Sequence, residues 1–113
     1  TVTANDDWLS AHPPTLEWYG WNAEPHELDT TEEVVQVAKN HAEDVTAGQT
    51  TFKGGNAGND ERFYNLYYDI PCLSLGPRGS AAHGADEYVD IDSLLQTTKV
   101  LALTTIDWCG TAD

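Results

Sequence analysis

The chain has 113 residues, with 19 acidic side chains against five basic ones, four histidines and a formal net charge of −14. This length allows one small domain or a piece of a larger one, and the 40% apolar content supplies a core, although such a chain buries only about two thirds of its unfolded surface. No apolar run approaches the ~20 residues that cross a bilayer, no basic-then-apolar leader opens the chain, and the charge repels phosphate backbones and anionic lipid. Membrane and nucleic acid are therefore excluded as expected partners.

In chain order, the first 28 residues are rich in aromatics and proline. Pro13 and Pro14 forbid a helix there, and Thr15 to Trp21 reads as a strand with aromatics on both faces. Thr30-Thr31-Glu32-Glu33 has the form of a capping box that opens a helix. Val34, Val37, Ala38, His41 and Val45 form its apolar stripe, and Gly48 ends it. Thr50 to Phe52 is a short strand candidate, followed by a glycine-rich loop over 54–58. Asn59 and Asp60 can cap a second helix carrying Phe63, Leu66 and Tyr67. Pro71 to Leu75 has the continuous apolar pattern of a strand covered on both faces, and 76–80 reads as a loop. A last helix is expected from Asp90 to Trp108, with Ile91, Leu94, Leu95, Thr98, Leu101 and Ile106 inward. Helices alternating with short strands imply an α/β fold: a small sheet packed with about three helices.

The acids run from Asp6 to Asp113 and interleave with apolar positions, so the acidity is global and not a disordered tail. At ~1 M salt the Debye length falls to roughly 3 Å, and the self-repulsion of such a surface largely disappears. This is the surface of a halophile's protein in a salt-loaded cytoplasm; an ordinary acidic protein is the alternative. Cys72 lies in an apolar run and Cys109 near the end, without a C-x-x-C spacing, so both are expected as free thiols.

Three superficial motifs fail. The single glycine-rich copy at 54–60 cannot build a calcium-binding solenoid, Asp90-Ile91-Asp92 lacks the glycine of a calcium loop, and no Gly-Lys-Ser/Thr makes a phosphate loop. More informative is Ala82-His83-Gly84-Ala85-Asp86-Glu87-Tyr88-Val89. A histidine in a small-residue loop just beyond a strand can ligate zinc, with a carboxylate fixing its tautomer. A loop histidine without a role is the plainer reading of the same residues.

Taken together, Asn59-Asp60-Glu61-Arg62-Phe63, Ile70-Pro71-Cys72 leading to Gly76-Pro77, and Ala82-His83-x-x-Asp86-Glu87-Tyr88-Val89 followed by an amphipathic helix resemble one family. It is the C-terminal part of the zinc aminoacylase, glutamate carboxypeptidase and deacylase family, which includes acetylornithine deacetylase and succinyl-diaminopimelate desuccinylase. The resemblance covers roughly residues 12–109. It implies that 1–28 is the tail of a lid or dimerisation domain and 29–113 the C-terminal portion of a zinc-binding α/β domain. It also implies that His83 is a zinc ligand, that Arg62, with Asn59 and Gly76, binds substrate, and that Asp60, Asp86 and Glu87 brace these groups. A guanidinium fork suits a substrate carboxylate, although a surface ion pair of Arg62 with Glu61 or Asp69 is the simpler alternative.

Two departures from the family pattern matter. Ala85 stands where the family often has proline, and neither the His-x-Asp motif nor a suitable Glu-Glu pair occurs; Glu32-Glu33 lies in a capping turn. A catalytic zinc needs about three protein ligands and a water. The expectation is therefore a subdomain of a dizinc amidohydrolase acting on N-acyl amino acids or peptides, inactive and without bound zinc when isolated. The competing expectation is a standalone, non-catalytic module that binds a partner or self-associates through the strand at 15–21, whose edges are bare. A mononuclear zinc site built from His83 with His12 or His26 ranks behind both.

Overall fold

The computed structural model describes residues 5–111, so the first four residues of the expected 1–28 segment lie outside the described residues. Four helices and one small sheet follow in the order α1 (Asp7–Ala11), α2 (Glu33–Thr46), α3 (Glu61–Tyr67), β1 (Gly79–Ser80), β2 (Tyr88–Val89) and α4 (Ile91–Cys109). The fold is mixed α/β, with one helix more than the sequence pattern indicates. The extra helix is the single turn α1, which the Asp6 side chain caps by accepting from the Leu9 N–H at 2.8 Å.

The α2 helix begins later than expected, and not through a capping box. Asp29 accepts from the Thr31 N–H at 2.8 Å and its hydroxyl at 2.7 Å, while Glu32 occupies the cap position without a side-chain bond. This local Asx turn uses the hydroxyl that a capping box needs. At the other end Ala47, not Gly48, takes the left-handed conformation (φ 51°). The buried stripe of α2 is Val35, Ala38 and Ala42, offset from the predicted one.

Asp90 caps α4, accepting from the Ser93 N–H at 2.7 Å, and the Ser93 hydroxyl donates back to the Asp90 carbonyl at 2.8 Å. Hydrogen bonding of the carboxyl by the Ser93 backbone N–H and side chain, with the nearby Arg78 guanidinium, holds Asp90 below the usual aspartate range despite some desolvation. The same hydroxyl accepts from the Arg78 N–H at 2.9 Å, tying the approach to β1 onto the helix start. β1 pairs antiparallel with β2, Gly79 opposite Val89 and Ser80 opposite Tyr88. A Cβ at Gly79 would fall 2.5 Å from the Tyr88 carbonyl oxygen, so this two-residue pairing requires glycine.

The face of α4 that packs inward is not the predicted one. Ser93 and Val100 are buried with Gln96, Thr97 and Thr104 half-buried, while Ile91, Leu94, Leu95, Leu101 and Ile106 are exposed. Small and polar residues let α4 approach α2 closely, and the long aliphatic side chains are left on the outside. His41 on α2 meets Asp107 on α4 at 2.7 Å across this seam.

Three expected strands do not form among the described residues. Residues 11–22 are exposed and have no pairing partner; Gly20 interrupts them in the left-handed region (φ 77°), and Trp18 and Tyr19 stand 84% and 93% exposed. Thr50 to Phe52 is likewise unpaired. The segment 71–75 is half-buried at its start, but its backbone is met by a side chain and not by a strand. Asn65 donates to the Cys72 carbonyl at 2.8 Å and accepts from the Cys72 N–H at 2.9 Å. Cys72 and Cys109 are both free thiols, and burial together with the Glu61 charge pushes the Cys72 thiol up. No described helix is long and apolar enough to cross a membrane.

The chain is 71 Å in its longest dimension, with a radius of gyration of 20.2 Å, against roughly 13 Å for a compact domain of this length. Its buried apolar residues are Val35, Ala38, Ala42 and Val100. Truncating Val100 to alanine removes two carbons from this seam and is expected to cost about 2 kcal/mol, by transfer and cavity terms together. Urea unfolding followed by helical circular dichroism measures it.

Candidate functional site

The buried cation of the molecule is Arg62, in the first turn of α3 and only 6% exposed. Its guanidinium carbon lies over the Trp21 ring at 4.5 Å and over the Phe63 ring at 4.4 Å. Its Nη1 has neither a hydrogen-bond partner nor contact with solvent. Burying an unpaired charge is expensive, and two aromatic faces offset only part of that cost, about 0.5–2 kcal/mol each.

An arginine surrounded by acids would ordinarily find one, and here the nearby acids are engaged elsewhere. Glu61 takes the His26 Nε2 at 3.3 Å and the Ser74 hydroxyl at 2.5 Å, and Asn59 donates to the same Ser74 oxygen at 3.2 Å. Glu24 accepts from the Tyr67 hydroxyl at 2.7 Å, which pushes the Tyr67 phenol up. The sequence alternative of an ion pair between Arg62 and Glu61 or Asp69 is absent among the described residues. These groups line one open cavity of about 860 Å³, where Trp21, His26, Glu61, Arg62, Cys72 and Ser74 converge.

Asn59 thus reaches this cluster through Ser74. Asp60 sits at the start of α3 but makes no side-chain cap, so the capping expected of Asn59 and Asp60 is not what these residues do. Gly76 is exposed, with no heavy atom within 4 Å of a built Cβ and no left-handed φ, so no contact within this chain demands glycine there.

His83 lies apart in sequence, in the exposed loop between β1 and β2. Ala81, His83 and Asp86 all adopt left-handed φ (58°, 62° and 59°), and the turn is closed by the Gly84 N–H on the Ala81 carbonyl at 2.7 Å. For non-glycine residues each such conformation costs of order 1 kcal/mol, so the loop holds stored strain. Glu87 braces it by accepting from the His83 N–H at 3.3 Å.

The fit to a metal can be judged from the donors. Among the described residues no group of three histidine, cysteine or acidic side chains could hold an ion. His12 is stacked on Trp8 with its Nδ1 on the Trp8 carbonyl, and His26 is turned to Glu61. A zinc centre therefore does not fit this chain alone; His83 is a single exposed imidazole.

What sequence reasoning missed is the aromatic lining of Arg62. In sequence Trp21 falls in a strand pattern and Phe63 in the second helix, and only their shared contact with the guanidinium gives them a common role. The Glu61 cluster was also missed, since His26, Asn59, Glu61 and Ser74 come from four separate stretches. Burial tends to raise the Glu61 pKa, but the hydrogen bonds of Ser74 and Asn59 and the nearby His26 outweigh it and leave Glu61 below the usual glutamate range. Because its folded value lies below its unfolded one, Glu61 contributes stability above about pH 4.3 that is lost as pH falls through the folded value. Glu61→Gln is expected to lower stability at pH 7 and to flatten part of the acid limb. Unfolding midpoints at pH 7 and pH 3 for both proteins measure this, and parallel pH curves would refute it.

Comparison with known proteins agrees with these blocks of residues. The profile of Peptidase family M20/M25/M40 matches residues 13–107. The chain is also 28% identical, over 117 aligned positions, to the N-formyl-4-amino-5-aminomethyl-2-methylpyrimidine deformylase of Halalkalibacterium halodurans. That alignment covers 96% of this chain and 27% of the deformylase, so the chain spans about a quarter of the length of this relative. With the Arg62 block, the 70–77 segment and the His83 loop all inside the matched stretch, the chain belongs to Peptidase family M20/M25/M40.

Proposed function

We propose that the chain is the C-terminal subdomain of a zinc-dependent amidohydrolase that cleaves the amide bond of N-acyl amino acids or peptides, and that Arg62 holds the substrate carboxylate. The supporting observation is the state of Arg62: a buried guanidinium in a chain with 19 acids, carrying an unpartnered Nη1 while Glu24 and Glu61 are bound to other groups. A carboxylate from outside supplies the acceptor that the protein withholds. An in-plane pair of N–H bonds to it also orients the substrate, which a point charge would not do.

In this reading residues 1–28 belong to a lid or dimerisation domain and 29–113 to the catalytic domain. His83 contributes one zinc ligand, to a centre whose other ligands and general base lie outside this chain. Zinc would supply a Lewis acid and an activated water there. Asn59 and Gly76 lie on the substrate side, and Asp60, Asp86 and Glu87 support the two loops. The strained 81–86 backbone, stabilised by Glu87, favours a functional His83 over an idle one. The global acidity supports adaptation to a salt-rich cytoplasm. The isolated 113 residues are inert in this proposal.

A second reading, a non-catalytic module that pairs through residues 15–21, draws on the exposed Trp18 and Tyr19 beside unpaired extended backbone. The first reading accounts for more, because the outer face of α4 also needs cover. Leu94, Leu95, Leu101 and Ile106 on α4 stand 42–57% exposed, a large apolar surface for one helix.

Two outcomes are expected. In the longer protein, Leu95→Ala costs about 2–4 kcal/mol, as for a buried leucine, but under about 0.5 kcal/mol in the isolated chain. Equal small effects in both would leave α4 uncovered and remove the subdomain reading. Arg62→Ala raises KM for N-acyl amino acids by about 10- to 100-fold, as loss of a charged hydrogen-bonding pair does, while an acyl amine without the carboxylate is turned over equally by both enzymes. A KM that ignores the carboxylate would dismiss Arg62 as its anchor.

A further inference from the structure

The guanidinium of Arg62 is held by a residue far away in sequence. Trp21 lies in a stretch without regular structure, 70% exposed, yet its ring lies under the Arg62 guanidinium at 4.5 Å. The ring has a fitted seat. A Cβ built on Gly58 would come 2.4 Å from Trp21 Cη2 and 3.1 Å from Cζ3, so the indole rests against bare backbone there. A methyl at 58 would meet the tip of this exposed ring and displace it. Trp21 in turn follows Gly20, whose φ of 77° aims the chain at that point.

We propose that Trp21, seated on Gly58, is a positioning residue for Arg62, setting the guanidinium for a single carboxylate. This rests on the reading of Arg62 as the carboxylate anchor. Aromatic faces suit that task better than an acid would. A carboxylate partner would occupy the N–H donors that a ligand needs, whereas a ring stabilises the charge through its π face and takes none of them. Phe63, next to Arg62 on α3, lies at 4.4 Å but is fixed to the same helix. Trp21 comes from outside that helix, so its contact fixes the guanidinium against a second segment of the chain. Nη1 has no partner among the described residues, and a carboxylate oxygen satisfies it.

The test uses the full-length protein and N-acetylglycine as probe, with binding measured by isothermal titration calorimetry and the Arg62 side-chain Nε–H resonance followed separately in a nitrogen–proton correlation spectrum. That signal is identified by its absence in Arg62→Lys. Trp21→Ala is expected to weaken binding by about 3- to 30-fold, the range of one cation–π contact, with Trp21→Phe retaining most of it. Gly58→Ala should weaken binding similarly by displacing the indole, and the double variant should be no worse than Trp21→Ala alone. The free Arg62 signal should also lose the Trp21 part of its ring-current shift in Trp21→Ala and in Gly58→Ala, which a general loss of stability would not do. In turnover, KM should rise with kcat unchanged. Wild-type affinity in both Trp21→Ala and Gly58→Ala, with Arg62→Ala impaired, would overturn the positioning role and leave the anchor. Wild-type affinity in Arg62→Ala would remove the anchor and this inference with it.

Discussion

The seam between α2 and α4 is what the rest of the chain hangs from. Val35, Ala38 and Ala42 on one helix face Val100 and a row of small polar residues on the other, and no further apolar side chain among the described residues is buried. A seam of this size, at roughly 25 cal/mol per Å², supports two helices but not 113 residues of ordered chain. The surrounding segments are held one hydrogen bond at a time: Ser93 onto the Arg78 backbone, Asn65 onto Cys72, Glu61 onto Ser74 and His26. Such attachments fix position well and add little stability each. They position the Arg62 and Glu61 groups while many large apolar side chains stay exposed.

Against that background the treatment of charge is selective. The acids near Arg62 are satisfied by a phenol, a serine hydroxyl and an imidazole, all softer partners than a guanidinium. The guanidinium is left with two aromatic rings. Exchanging the partners, with Arg62 on Glu61, would lower the energy of the isolated chain and close the site. The arrangement observed retains an unmet donor instead, as the proposed carboxylate anchor requires.

Much of this was legible in the sequence where the signal is local. The α4 start at Asp90, the α3 segment and the mixed α/β class follow from spacing and from cap and turn residues. The three unformed strands were not legible, because a strand is defined by its partner. Residues 15–21 and 71–75 have strand composition, yet the first meets no partner strand and the second meets the Asn65 amide. The inward face of α4 was misread for a related reason: Leu94, Leu95 and Leu101 look like a core stripe and form one only if something covers them, while α2 selects the smaller Ser93 and Val100 side. Arg62 stood out as a residue type in a motif. Its aromatic setting did not, since Trp21 lies 41 positions upstream and its seat at Gly58 shows only in three dimensions.

The two candidate groups of this chain are built by opposite means, and that difference fits their chemistry. Arg62 is rigidly placed on a helix, buried and supported by rings, as suits an anchor that must meet a flat carboxylate in one orientation. His83 is exposed on a strained loop between two short strands, held at its backbone by Glu87 and at its ring by nothing described. A metal ligand obtains its final geometry from the ion and from the other ligands, so its loop needs to offer the imidazole and not to lock it. The strain carried by Ala81, His83 and Asp86 is tolerable when a bound ion repays it, and is hard to account for in a loop with no role. In the proposed reading, a buried guanidinium supported by rings and an exposed imidazole on a strained loop are suited to these two different tasks.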